Sequence, residues 1–83
     1  MEFEPRVVLD VRGMACPMPL LKTKLQLNGL ASGAFLEVLA SDAGSARDIP
    51  AFLRLTTHVL HVCETFDVGD GSDGYRFIIE CVK

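Results

Sequence analysis

The sequence predicts an α+β protein, a two-layer α/β sandwich with the element order β-α-β-α-β-β and both helices on one face of the sheet. Three observations predict it. Short runs rich in β-branched and aromatic residues recur at residues 6–11, 34–40, 59–66 and 75–82. Two stretches of helical spacing separate the first three runs, and a cluster of glycines and aspartates separates the last two. No composition shift divides the 83 residues, so the chain reads as a single domain over residues 1–83.

Met1 to Pro5 is short and polar, and Arg6-Val7-Val8-Leu9-Asp10-Val11 then forms the first strand, with Leu9 and Val11 facing inward. Gly13 supplies the backbone freedom to turn toward a helix that opens at Pro17. From Met18 to about Asn28, Met18, Leu20, Leu21, Leu25 and Leu27 share one broad helical face on which Lys24 intrudes. Gly29 or Ser32-Gly33 ends that helix. Leu36, Val38 and Ala40 of the second strand face the helices, and a strand–helix–strand unit of this length implies a right-handed parallel crossover. Asp42 is placed to cap the second helix, which runs to about Thr57. Pro50 interrupts it, so Asp48 is expected to cap a restart that puts Ile49 and Phe52 or Leu53 toward the sheet and Arg54 outward. In the last two strands Leu60, Val62, Phe77 and Ile79 alternate inward, joined by a long, mobile loop over residues 67–74.

Composition narrows the function. The chain is 49% hydrophobic with a mean hydropathy of +0.31, enough to build a core without disulfides or a metal. A net charge of −3 argues against non-specific binding to nucleic acid or an anionic membrane and favours protein partners. Three cysteines, with no Cys-x-x-Cys pair and no signal peptide, fit the reducing cytoplasm rather than a secreted disulfide framework. No apolar run approaches the ~18 residues of a membrane span.

Among these cysteines Cys16 stands at the seam between the first strand and the first helix. Pro17 and Pro19 fit the first helical turn, where a missing N–H removes no ladder bond, and they stiffen the helix start. The donors that remain, at Met18 and Leu20, are expected to point back at the sulfur as an anion site, with Arg12 and Lys22 near enough in sequence to add positive charge. The helix dipole contributes about 0.3–1 kcal/mol, so the thiol pKa should fall by less than one unit. The plainer alternative makes Cys16 a small buried hydrophobe. On the last strands, Cys81 takes the inward parity, while His61 and Cys63 share the outward one and invite a metal reading with His58. Three residues without closed spacing fall short of a four-ligand site, so no metal is expected and an exposed sheet face is the simpler account. The loop acids likewise lack the spacing of a calcium hand.

Leu9-Asp10-x-Arg12-Gly13-x-x-Cys16-Pro17-x-Pro19, with Gly33-x-x-Leu36-Glu37-Val38, Asp42, Arg47-Asp48-Ile49-Pro50-x-Phe52, His58 and Tyr75-Arg76-Phe77, resembles the TusA/SirA family of sulfur carriers. The resemblance runs from about Val7 to the C-terminus and is specific because Cys-Pro-x-Pro and Arg-Asp-Ile-Pro occur together at the family's separation. It implies a mixed four-stranded sheet in the order 1-2-4-3. It also implies one functional cysteine, Cys16, supported by Arg12, Gly13, Pro17 and Pro19, that carries sulfur as a persulfide without a cofactor. The implied partners are a cysteine desulfurase or rhodanese as donor and a protein with a reactive cysteine as acceptor, serving tRNA thiolation, molybdenum-cofactor maturation or sulfur oxidation. Such a protein is a sulfurtransferase-type carrier rather than a stand-alone multiple-turnover enzyme. Met18 replaces a common Glu, Leu53 stands where some members carry a second Cys, and the hairpin loop is longer than usual. Three other classes compete with this reading. A redox or peroxidase role needs a resolving cysteine or a base near Cys16; a nucleic-acid module, suggested by likeness to the C-terminal domain of translation initiation factor three, conflicts with the acidic balance; a regulatory protein binds partners without sulfur chemistry.

Overall fold

The computed structural model describes residue 3, residues 6–67, residue 69 and residues 73–83. Its elements are β1 (Arg6–Asp10), α1 (Met18–Gly29), β2 (Phe35–Ala40), α2 (Ala43–Arg54), β3 (Val59–Asp67) and β4 (Asp73–Glu80). The four strands form one mixed sheet in the order β1-β2-β4-β3, parallel between β1 and β2 and antiparallel elsewhere, as expected. The helices cover one face, and there Leu36, Val38, Ala40, Phe77 and Ile79 meet Val11, Leu27, Ile49, Leu53 and Cys81 in a closed core. Each of these residues leaves water almost completely, at roughly 1.5–3 kcal/mol for a Val, Leu, Ile or Phe side chain.

The opposite face carries charge. Arg6 of β1 pairs with Glu37 of β2 (2.6 Å), Glu37 with Arg76 of β4 (3.1 Å), and Arg76 with Glu64 of β3 (2.7 Å), so one row of ion pairs crosses all four strands. Glu37 is only 8% exposed and is satisfied by two guanidinium groups, which is how a carboxylate can sit that deep.

Several expectations are corrected. The buried side of α1 is Pro19, Thr23 and Leu27, at i, i+4 and i+8, whereas Met18, Leu21 and Leu25 are exposed. Thr23 can be buried because its hydroxyl donates to the Pro19 carbonyl at 2.8 Å, closing its own polar demand within the helix. Lys24 does not disturb the packing, since its ammonium lies 4.9 Å from the centre of the Phe52 ring. Asp48 caps nothing: α2 is continuous from Ala43, Pro50 lies inside it, and Asp42 alone caps it through the Ser45 N–H (3.0 Å). Ile49 and Leu53 nevertheless face the core and Arg54 points outward.

In β3 the register shifts between Leu60 and Val62, so that Leu60 opposes Ile79, Val62 opposes Ile78 and Cys63 opposes Phe77. This bulge inverts the strand's parity after Leu60. Val62 therefore leaves the helix-covered face, and His61 and Cys63 do not share a face as alternation predicts. Strand pairing reaches Asp67 and Asp73, which shortens the connection to residues 68–72. The expected mobility of that loop, and the expected polar start at residues 1–5, concern segments that lie largely outside the described residues.

Candidate functional site

Parallel pairing puts the C-terminal ends of β1 and β2 side by side, so the segments leading into α1 and α2 meet at one end of the sheet. Gly13, at φ 83°, turns the chain there in a conformation that side chains disfavour, and its N–H donates to the Ser41 hydroxyl at 2.8 Å, tying the two segments together. Cys16 follows, exposed, at the start of α1. Pro17 is the N-cap residue, joined to Cys16 by a cis peptide bond and making no side-chain cap, and Pro19 sits buried one position inside the helix.

The sulfur faces α2. Its Sγ donates to Asp48 Oδ2 at 3.4 Å, and Asp48 Oδ1 accepts from Arg47 Nε at 3.3 Å. Gly44 lies alongside: a Cβ there would stand 3.5 Å from Cys16 Cβ, 3.9 Å from Sγ and 3.1 Å from Asp42 Oδ2. The hydrogen bond to Asp48 pushes the Cys16 thiol pKa up, and burial, the Asp48 charge and the Asp42 charge push the same way against Arg47. The expected fall is thus reversed. A helix terminus offers about half a charge, while Asp48 places a full negative charge within hydrogen-bonding distance of the sulfur. The anion-site donors are also partly spent, because the Met18 N–H donates to the Ala15 carbonyl at 3.0 Å.

Arg12 does not reach the thiol with its charge. Its guanidinium grips Asp10 through Nε (2.9 Å) and Nη2 (2.7 Å), and this pair and the Arg12 backbone N–H hold the Asp10 pKa at about 2. The cation acting on the sulfur is Arg47, and neither Lys22 nor Lys24 contributes appreciably. Sequence reasoning singled out the Arg47-Asp48 pair but gave Asp48 a capping role. The signal that could have placed it was topological, since a parallel crossover brings the first turns of α2 to the end of β1.

The remaining candidates lie elsewhere. Cys81 is fully buried in the core, as expected, and Cys63 is exposed on β3 at the far edge of the sheet. His58 Nδ1 accepts from the Val82 N–H (3.0 Å), and His61 Nε2 meets Glu80 at 2.8 Å. Among the described residues no three His, Cys, Asp or Glu side chains are grouped to hold a metal, and no helix is long and apolar enough to cross a membrane. A cleft of about 330 Å³ between α2 and β3, lined by Leu53, Arg54, His58 and Leu60 among others, shares no residue with the Cys16 surroundings.

The family model described as Sulfurtransferase TusA matches residues 7–80. The chain belongs to this family. A putative sulfur carrier protein of Halobacterium salinarum is 39% identical over 82 residues, covering 99% of this chain and 96% of that protein. The sulfur carrier protein TusA of Pseudomonas putida strain GB-1 is 39% identical over 59 residues, 71% of this chain and 74% of that one. In fold, the chain is similar to the crystal structure of a SirA-like protein from Desulfitobacterium hafniense, with a TM-score of 0.70 over 93% of this chain and 99% of that one. Sequence identity to that structure is 19%, so the likeness concerns architecture. Cys16-Pro17-x-Pro19 leads into α1, while Arg47-Asp48-Ile49-Pro50 lies inside α2, where Asp48 meets the sulfur.

Proposed function

We propose that this protein is a sulfur carrier: Cys16 accepts a sulfane sulfur from a cysteine desulfurase or rhodanese and passes it to a reactive cysteine on an acceptor protein. The observation that carries this reading is the exposure of Cys16 at the meeting point of the family's two motifs, with the buried Cys81 and the far-edge Cys63 on other elements. In the loading step Cys16 gives up its thiol proton and Sγ attacks the terminal sulfur of the donor persulfide. A new S–S bond forms on Cys16, the donor's S–S bond breaks, and the departing donor sulfur takes a proton, so no outside oxidant is required. Unloading repeats the exchange on the acceptor. A thiol lying next to Cys16 would discharge the persulfide as a disulfide, and neither other cysteine occupies its surroundings. Met18, Leu21 and Leu25, exposed on the helix that Cys16 precedes, offer a docking protein apolar surface along α1.

The test is intact-mass measurement after incubation with a cysteine desulfurase and cysteine. One added sulfur is expected on the native protein and on Cys63→Ser, and none on Cys16→Ser. Sulfur that persists in Cys16→Ser, or that maps to Cys63 or Cys81, refutes the assignment.

A further inference from the structure

We propose that Asp48 is the residue that sets the reactivity of Cys16, holding its thiol protonated in the free protein until a partner's cationic group draws off the carboxylate's charge. The proposal rests on Cys16 being the sulfur-accepting residue.

The geometry is that of a carboxylate set between the thiol and Arg47. Asp48 uses Oδ2 for the Cys16 thiol and Oδ1 for Arg47, so its carboxylate is oriented from both sides while its side chain remains 31% exposed. The contact with Cys16 is favourable only while the sulfur carries its proton; loss of that proton leaves two negative groups 3.4 Å apart. Because the thiolate is the attacking species, this contact lowers the share of free protein able to react with adventitious alkylating or oxidising agents.

The other charges near the sulfur do not undo this. From α2 and its cap, Asp42 acts in the same direction as Asp48, and Arg47 opposes both. Arg47 is 80% exposed, and ion pairs at such positions are weak and salt-sensitive. From the segment before α1, Arg12 is taken up by Asp10. Lys24 of α1 lies over Phe52, and Lys22 contributes nothing appreciable at the sulfur. The net local field is therefore acidic, and the group that relieves it must come from outside. A donor that presents Lys or Arg beside its persulfide pairs with Asp48 and Asp42 on docking and releases the thiolate where the sulfur is to be transferred.

The experiment uses the full chain in a Cys63→Ser background, so that exposed thiol reactivity reports Cys16 alone. Alkylation by iodoacetamide is followed against pH for the parent and for Asp48→Asn, with circular dichroism as the folding control. The variant is expected to react about three- to tenfold faster at pH 7, equivalent to a profile displaced by half to one unit toward lower pH, and Asp48→Glu should restore the parent profile in part. Superimposed profiles for the parent and Asp48→Asn overturn the proposal. Should Asp48→Asn fail to fold, Arg47→Gln takes its place: removing the opposing cation should slow alkylation and move the profile to higher pH, and no change there overturns the proposal equally. Sulfur loading from a cysteine desulfurase tests the partner's share. Asp48→Asn should gain less in loading than in alkylation, because docking already relieves Asp48 in the parent, and equal gains refute relief by the partner. A parent protein that takes up no sulfur defeats the carrier reading instead, while the alkylation profiles still decide the role of Asp48.

Discussion

The chain spends residues 11–17 passing from β1 into α1 and only residues 41–42 passing from β2 into α2. The longer crossover is exposed from Arg12 onward apart from the half-buried Met14, and its last residue, Pro17, makes no side-chain cap. The shorter one is fastened: Asp42 Oδ2 accepts from both the N–H (3.0 Å) and the hydroxyl (3.1 Å) of Ser45, and Ser45 is fully buried. Cys16 rides on the open crossover, where a partner can reach it, and the charges nearest its sulfur, Asp48 and Arg47, ride on the helix that the fastened crossover caps, with Asp42 at that cap. Accessibility and electrostatic control are thus supplied by different parts of the chain and joined by the Gly13–Ser41 hydrogen bond.

Substitution at Gly44, in the first turn of α2 where the helix touches the open crossover, should have the largest effect on function. Gly44→Leu extends a side chain past a Cβ position already 3.9 Å from the Cys16 sulfur, so sulfur loading should fall at least about tenfold, or 1.4 kcal/mol in the barrier. Helicity should be retained, because Leu is the better helix former, and circular dichroism beside the loading assay checks both halves. Loading that survives unchanged would mean that partners approach the sulfur from a direction α2 does not border.

Loosening the fastened crossover comes next. Asp42→Ala removes the cap of α2 and should cost about 1 kcal/mol, seen as a fall in Tm of roughly 4–8 °C for a domain this size. A negligible shift would show that the capping bonds do not distinguish the two crossovers in stability.

The smallest effect belongs to the open crossover. Asp10, about half exposed, has its pKa lowered from 3.8 to about 2 by Arg12. A depressed carboxylate stabilises the fold above its unfolded pKa and loses that contribution as pH falls through its folded one. Asp10→Asn should therefore lower stability by less than about 1 kcal/mol at neutral pH, discounted for solvent screening. The gap to the parent should close between about pH 4 and pH 2, which denaturant midpoints taken across that range will show.

Alternation and turn chemistry were enough to read β1, β2, the Gly13 turn and the Asp42 cap, because each rests on residues adjacent in sequence. The buried side of α1 was not legible in that way: Pro19 and Thr23 are not core residue types, and Thr23 becomes one only through its bond to the Pro19 carbonyl. The bulge after Leu60 was hidden for a related reason, since His61 and Val62 continue an acceptable alternation and only pairing with β4 reveals the extra residue. Cys16 was singled out by its motif, and the structure leaves it exposed ahead of α1. The direction of its pKa was not legible, because the deciding group, Asp48, stands 32 positions away and meets the sulfur only through the crossover.

The row Arg6–Glu37–Arg76–Glu64 has a colloidal consequence. Two cations and two anions alternate along it, so the row carries no net formal charge, and only Glu64 in it is more than half exposed. A second sheet stacking upon it would have to strip water from four charges already satisfied by one another, gaining no new counterions in exchange. Stacking on the uncovered layer is thereby disfavoured along this row, and the chain's formal charge of −3 is carried by residues outside it.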